Sequence, residues 1–377
     1  MDSTARQILP DSTRDRHGSQ STRSTKPVCE SSWRDFLVTF ATTFAAILIM
    51  AAVFIGLTNP YGNLPALGLA RHAIADGNQR FQYPAIARSG DFDSVLVGTS
   101  TSGILHPQSL DGALGGRFAN LAMDSARAWE QVQMARLFQS RTTSPANLII
   151  GLDTVWCEED AGDVRVTERG FPVWMYDTGI LNDLPHMLNW KAIDIGVKKL
   201  GVALGWKPPR IGNDGYKVFL PDETLYDAAK VRKLLGRWTP QEYAESNAGA
   251  DAIAGRKVKL PALAWLDEVL SLPWRRVTLV FMPVHITAQP RAASDRAYVE
   301  HQCKVRIAEI ARRHSATVID FRIPSTLTMA DANYWDRLHY RVPVGEELAK
   351  SIARAVSTLK DDPAGTWRVL AAPSPNS

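Results

Sequence analysis

The clearest chemical potential in this sequence lies in a serine on a glycine-flanked turn and in an aspartate set three residues before a histidine. Ser100 stands in Gly98-Thr99-Ser100-Thr101-Ser102-Gly103, directly after the apolar run Ser94-Val95-Leu96-Val97. A hydroxyl on a tight turn past a buried strand is exposed for attack on an acyl group, and the N–H groups that open a following helix can bind an oxyanion. The same cluster also fits an ordinary helix N-cap. Near the other end of the chain, Tyr334-Trp335-Asp336-Arg337-Leu338-His339-Tyr340 puts a carboxylate and an imidazole on one turn. Asp336 could bond one ring nitrogen of His339 and fix its tautomer, leaving the other nitrogen to take the Ser100 proton. Alone, Asp-x-x-His equally describes a surface turn with a solvated imidazole. His285, in Pro283-Val284-His285, is a further residue placed to line the cleft; it ranks below His339 as a base because no aspartate adjoins it. His106, in Leu105-His106-Pro107, reads as a loop residue. No His-x-x-x-His, paired-cysteine or Asp-rich loop is present, and Gly98–Gly103 lacks a phosphate-loop lysine, so neither a metal nor another cofactor is expected.

These residues need a frame that brings the two stretches together. Short apolar runs at Ser94–Gly98, Phe118–Ala122, Asn147–Leu152, Arg276–Val284 and Thr317–Phe321 read as strands. Between and after them, Ala126–Gln139, Ala292–His314 and Val344–Leu359 have helical spacing. Buried strands alternating with helices predict an α/β domain with a parallel sheet covered on both faces, and in such sheets sites form outside the carboxyl ends of the strands. The interval 157–275 breaks the alternation; it is too long for a structureless loop and reads as a large, mostly helical insertion after the third strand. It is rich in tryptophan (Trp174, Trp190, Trp206, Trp238, Trp265 and Trp274), which serves core filling more often than sugar stacking.

Residues 36–57 contain no charged side chain, and an apolar helix of that length spans a bilayer. A cleaved signal peptide fits less well, because the run is long, starts late and has no small-x-small site before Asn59-Pro60. Arg23, Lys26 and Arg34 precede the run, while nothing basic follows it until Arg71. The positive-inside rule then puts the N-terminus in the cytoplasm and the rest across the membrane, which for a bacterial inner membrane is the periplasm. The expected organisation is a disordered cytoplasmic tail over 1–35, a transmembrane helix over 36–57, a linker leading into the domain over 58–89, the domain over 90–360 and a loose Pro- and Ser-containing tail over 361–377. A net charge of +4 without long like-charged blocks gives no case for nucleic acid. Cys29 falls on the cytoplasmic side, and Cys303 lies on the helical stripe Val299, Cys303, Ile307, Ile310 as core filling; Cys157 and Cys303 are expected to be free thiols more readily than a pair.

Order and spacing together resemble the SGNH/GDSL hydrolase family. Gly98-Thr99-Ser100 looks like its first block, Phe118-Ala119-Asn120-Leu121-Ala122-Met123-Asp124-Ser125 its second, Ile150-Gly151-Leu152-Asp153 its third and Asp336-x-x-His339 its last. Gly-Thr-Ser behind a single N-terminal anchor is closer to the membrane-anchored branch tied to cell-surface polysaccharides, such as the alginate O-acetylation proteins and the D-alanine-transfer protein of teichoic acids. The stretch Phe171-Pro172-Val173-Trp174-Met175-Tyr176-Asp177 is also similar to a motif in relatives.

The resemblance implies a flavodoxin-like three-layer α/β/α sandwich. It also implies a serine esterase or O-acyltransferase acting on an exported polysaccharide or acylated sugar, with Ser100, His339 and Asp336 as the catalytic residues. Ser100 N–H and an N–H near Asp124 or Ser125 would be the oxyanion donors, with Asp153, Thr154 and His285 lining the cleft. The sequence departs from the family pattern at Thr99, at Asp124–Ser125 where a glycine is usual, and at Asp153 where an asparagine donates; an ionised carboxylate cannot donate. Those departures support an alternative: an inactive relative that binds glycan or scaffolds an integral-membrane acyltransferase.

Overall fold

The computed structural model describes residues 30–64, 74, 76–177, 179, 183–243 and 256–373. The chain divides into two compact units, residues 1–50 and 51–377. Helix α1 (Glu30–Thr58) crosses that division, and its stretch Ser32–Thr58 is long and apolar enough to span a membrane. It begins before the expected span, so residues 30–35 are helical rather than part of a tail; residues 1–29 lie outside the described residues.

The larger unit is built on a six-stranded sheet of order β2-β1-β3-β4-β5-β6. Its strands are β1 (Ser94–Val97), β2 (Phe118–Asn120), β3 (Asn147–Leu152), β4 (Arg276–Phe281), β5 (Thr317–Asp320) and β6 (Arg368–Ala371). The first five pair in parallel at the expected positions, β3 with the expected bounds and the other four with shorter carboxyl ends. β6 pairs antiparallel with β5, so the sheet is mixed, and residues 368–371 are a strand where the composition suggested a loose tail.

β1 to β5 are mostly apolar, and every residue in them but Arg276 is buried, because both faces are covered. On one side Val95, Val97, Leu148, Ile150 and Phe281 pack against α2 (Gln79–Ala87) and α5 (Ala128–Arg141), together with two helices from further along the chain. On the other, Leu96, Ile149, Val280 and Ile319 meet Ile104 and Leu105, which follow α3 (Ser100–Gly103), and α4 (Pro107–Leu114), together with the final helix. Alternate side chains of each strand thus serve opposite layers. The segment 58–89, expected to be a linker, contributes α2 to the core.

The interval after β3 holds α6 (Leu184–Met187), directly followed by α7 (Trp190–Ala203), and then α8 (Ala228–Leu235) after a longer, largely irregular stretch. It closes with α9 (Ala262–Leu270), which packs on α5 and on α10 (Asp295–Arg313) and is therefore a helix of the layer itself rather than of the insertion. Helices α11 (Thr326–Met329) and α12 (Val342–Thr358) follow β5. Cys157, just past β3, and Cys303, in the middle of α10, form a disulfide rather than two free thiols. Their separation of 146 residues explains why spacing alone did not reveal the pair.

Candidate active site

β1 lies between β2 and β3, so the chain reverses its direction of travel across the sheet at the carboxyl end of β1, where open α/β sheets bind ligands. Gly98 and Thr99 leave that strand, and Ser100 opens α3. The turn can lie this close to the sheet because Gly98 and Gly151 lack a Cβ: an added carbon on either would collide with Ser102 Oγ, which is wedged between β1 and β3. Asn120, at the end of β2, secures the same turn by donating its Nδ2 to the carbonyls of Ser102, at 3.1 Å, and Leu105, at 2.7 Å.

The second stretch arrives after β5. Asp336 Oδ1 accepts the N–H groups of Leu338, at 2.7 Å, and His339, at 2.9 Å, forming a tight turn that holds carboxylate and imidazole together. Asp336 Oδ2 lies 2.8 Å from His339 Nδ1, and His339 Nε2 lies 2.9 Å from Ser100 Oγ. A carboxylate can only accept, so Nδ1 carries the proton and Nε2 is left to accept from the serine hydroxyl. The two stretches, expected to meet at one rim of the sheet, do so. Burial raises the Asp336 pKa, but the hydrogen bonds from the His339 ring and from the Leu338 and His339 N–H groups lower it further, and the carboxyl sits below the ordinary aspartate value. It is therefore ionised at neutral pH. Tyr340, fully buried, donates to the Thr101 carbonyl at 2.6 Å and so ties the histidine turn to the serine turn.

The other expected residues divide. Asp153 does not face the Ser100 hydroxyl as a donor or substrate ligand. Its carboxylate is buried, accepts from both Thr99 Oγ1 and Thr101 Oγ1, and pairs at 3.0 Å with Arg322, which is itself 3 % exposed. Arg322 also donates to the Leu152 carbonyl at 3.0 Å. The acid that stands where the family pattern has an asparagine thus braces both neighbours of Ser100. Arg322→Met would leave Asp153 buried without its cation and should destabilise the domain by about 3–5 kcal/mol. Adding Asp153→Asn should restore part of that loss, and chemical denaturation of the single and double variants measures both.

Asp124 also departs from its expected place. Its N–H donates to Gln79 Oε1 at 2.8 Å and is spent on the core, while its carboxylate pairs with Lys217 at 2.8 Å. Ser125, at φ +55°, and Thr154 are exposed at the rim. The Met123 N–H donates to the Gly98 carbonyl, so the strand-two loop runs directly beside the serine turn.

His285 is fully buried rather than lining the cleft, and an aspartate does pair with it, although not one nearby in sequence. Its Nδ1 accepts the Thr287 N–H at 3.3 Å, leaving Nε2–H to donate to Asp331 Oδ1 at 3.2 Å. Its backbone N–H donates to the Arg337 carbonyl at 3.0 Å, so it props the Asp336–His339 turn from behind. Burial holds its pKa below the ordinary histidine value, with Asp331 opposing. The unfolded chain therefore takes up this proton at a higher pH than the folded one, and stability falls as pH drops below about 6.5. Thermal unfolding midpoints at pH 7.5 and 5.5 should differ less in His285→Gln than in the wild-type chain.

Four side chains that complete this rim carried no motif: Lys217, Phe219, Arg322 and Asp331. The Phe219 ring meets the His339 ring edge to face at 5.5 Å. It belongs to a stretch of the insertion that is fastened on both sides, by the Asn120 N–H to the Asp214 carbonyl at 2.8 Å and by Arg341 Nε to Glu223 Oε2 at 2.7 Å. The insertion therefore covers part of the rim. The available signal for Arg322 was its position directly after a buried strand, where a cation must have a partner.

A hydroxyl, an imidazole that accepts its proton and a carboxylate that holds that imidazole can form and break an ester with an acyl group. In comparisons with known proteins, no family model and no curated protein matches the chain.

Proposed function

We propose that this protein is a serine-dependent O-acyltransferase or acylesterase of the SGNH type, anchored in the inner membrane with its domain in the periplasm, acting on an exported or cell-surface polysaccharide. The observation that carries the reading is the continuous hydrogen-bonded chain from Ser100 Oγ through His339 to Asp336. Ser100 attacks the acyl carbon while Nε2 takes its proton. The imidazolium then gives that proton to the leaving oxygen, and a sugar hydroxyl or water reverses the sequence to release the acyl group.

The two acids that weighed against activity each have a cation beside them, Lys217 for Asp124 and Arg322 for Asp153, so neither presents a bare carboxylate to a developing oxyanion. Ser100 N–H, at the open start of α3, and the Ser125 N–H are the donors we assign to that oxyanion. Strand order β2-β1-β3-β4-β5 is the flavodoxin-like arrangement that the family resemblance implied. The basic flank before α1 and the disulfide beyond it agree with an exported domain.

Incubating the detergent-solubilised chain with an aryl acetate, with and without a polysaccharide acceptor, tests the proposal. Acetyl release that depends on His339 is the expected result, and acetyl gain on the acceptor would identify transfer. An intact, folded chain that releases no acyl group from any ester would leave glycan binding, or support of a membrane acyltransferase, as the role of the domain.

A further inference from the structure

Resting on the reading of α1 as a membrane anchor, we infer that α7 is a second membrane attachment: its exposed face lies on the surface of the bilayer that α1 enters. Trp190, Ile193, Val197, Leu200 and Leu204 recur at the spacing of one helical face, with Ile193 and Leu200 half-buried and Ile193 packed against the core. Of these, Trp190 is 79 % exposed, Val197 58 % and Leu204 51 %, and Trp206, just past the helix, is 75 % exposed. The opposite face is fixed in the domain through Ala192, Ile195 and Gly196, all buried. A helix whose inner face is already satisfied does not need a second apolar face for folding, and an exposed stripe with two tryptophans marks a contact with something apolar.

The neighbouring residues say which contact. The last two turns of α1 belong to the same compact unit as α7. There Gly196 packs so closely on Phe54 and Thr58 that a Cβ would meet both side chains. Lys199 Nζ donates to the Asn59 carbonyl at 2.7 Å, closing the end of the anchor helix onto α7. The helix that carries the stripe is therefore packed directly on the end of the anchor helix. Tryptophan is the side chain that favours the headgroup level, with an apolar ring and a polar N–H. Exposed cations, Lys207 and Arg210, follow Trp206 as an interfacial helix requires, while Lys191 and Lys198 on another side of α7 are held by Asp76 and Asp194. A chain held by one helix can swivel; a second attachment fixes which way the domain faces the membrane.

Nitroxide labels on the full-length chain in phosphatidylcholine–phosphatidylglycerol vesicles test this, with Cys29→Ser to remove the remaining free thiol. Labels are placed on Val197→Cys, on Ile47→Cys within the anchor and on Lys350→Cys at an exposed position of α12. The ratio of collision with oxygen, which favours lipid, to collision with a water-soluble nickel chelate should be several-fold higher at positions 197 and 47 than at 350. A high ratio at 47 with the ratio at 197 equal to that at 350 overturns the inference and leaves the anchor standing. A low ratio at 47 removes the anchor reading and this inference with it. Spin–spin broadening at 197 would show a second copy of the chain occupying the stripe and would equally overturn it.

Discussion

Ser100→Ala should be invisible to a fluorophosphonate probe that labels the wild-type chain, and its acyl turnover should drop by on the order of 10⁶-fold, as should that of His339→Ala. The magnitude follows from the arrangement. With Nε2 2.9 Å from Oγ, the hydroxyl is activated only through this imidazole, and no other histidine among the described residues reaches it. Asp336→Asn should cost less, on the order of 10⁴-fold, and for a different reason. An asparagine keeps the turn through its oxygen but can present its N–H₂ to Nδ1; the imidazole proton then moves to Nε2, where it can no longer accept from serine. The defect should ease as pH rises, whereas Ser100→Ala stays silent at every pH. Labelling that persists in Ser100→Ala would place the nucleophile elsewhere and end the proposed mechanism.

Cys157→Ser/Cys303→Ser should lose about 5 kcal/mol of unfolding free energy, because the bridge closes a loop with a sequence separation of 146 residues and so restricts the unfolded chain strongly. The wild-type chain in reductant should approach the double variant, while the variant itself should not respond. Thiol alkylation after denaturation without reductant should modify Cys29 alone. The bridge joins the segment just beyond Asp153 to α10, so its loss should also loosen the rim near Thr154. An unshifted denaturation midpoint in reductant would mean that the two cysteines do not pair.

The first five strands were legible because each is an apolar run bounded by turn residues, and their parallel pairing because helices separate them; the antiparallel β6 was not. Ser100 and Asp336–His339 were legible as types: a hydroxyl behind a strand and a carboxylate one turn from an imidazole are local patterns. Their partners were not local. Arg322 answers Asp153, Lys217 answers Asp124 and Asp331 answers His285, each across a stretch of chain whose spacing carries no distance information. Reading Asp124 and Asp153 as isolated charges therefore made the site look electrostatically spoiled. The cysteines failed in the same way: Cys303 fits its apolar stripe, and that local fit concealed a covalent partner. The insertion was visible only as an interruption, since Phe219 comes from irregular backbone and Glu223 from a single 3₁₀ turn, neither with a period to read.

One edge of the sheet has its own consequence. β6 hydrogen-bonds along β5, and Trp367 beside it is buried against Phe321. Cut the chain at residue 361 and the outer rail of β5 becomes a row of unmet backbone donors and acceptors, the kind of template on which separate molecules add strands to one another. β6 itself is only four residues long and begins with a charged side chain, so it offers little for another molecule to grip. This short terminal ribbon works as a selvedge, keeping each copy of the domain from being woven into the next.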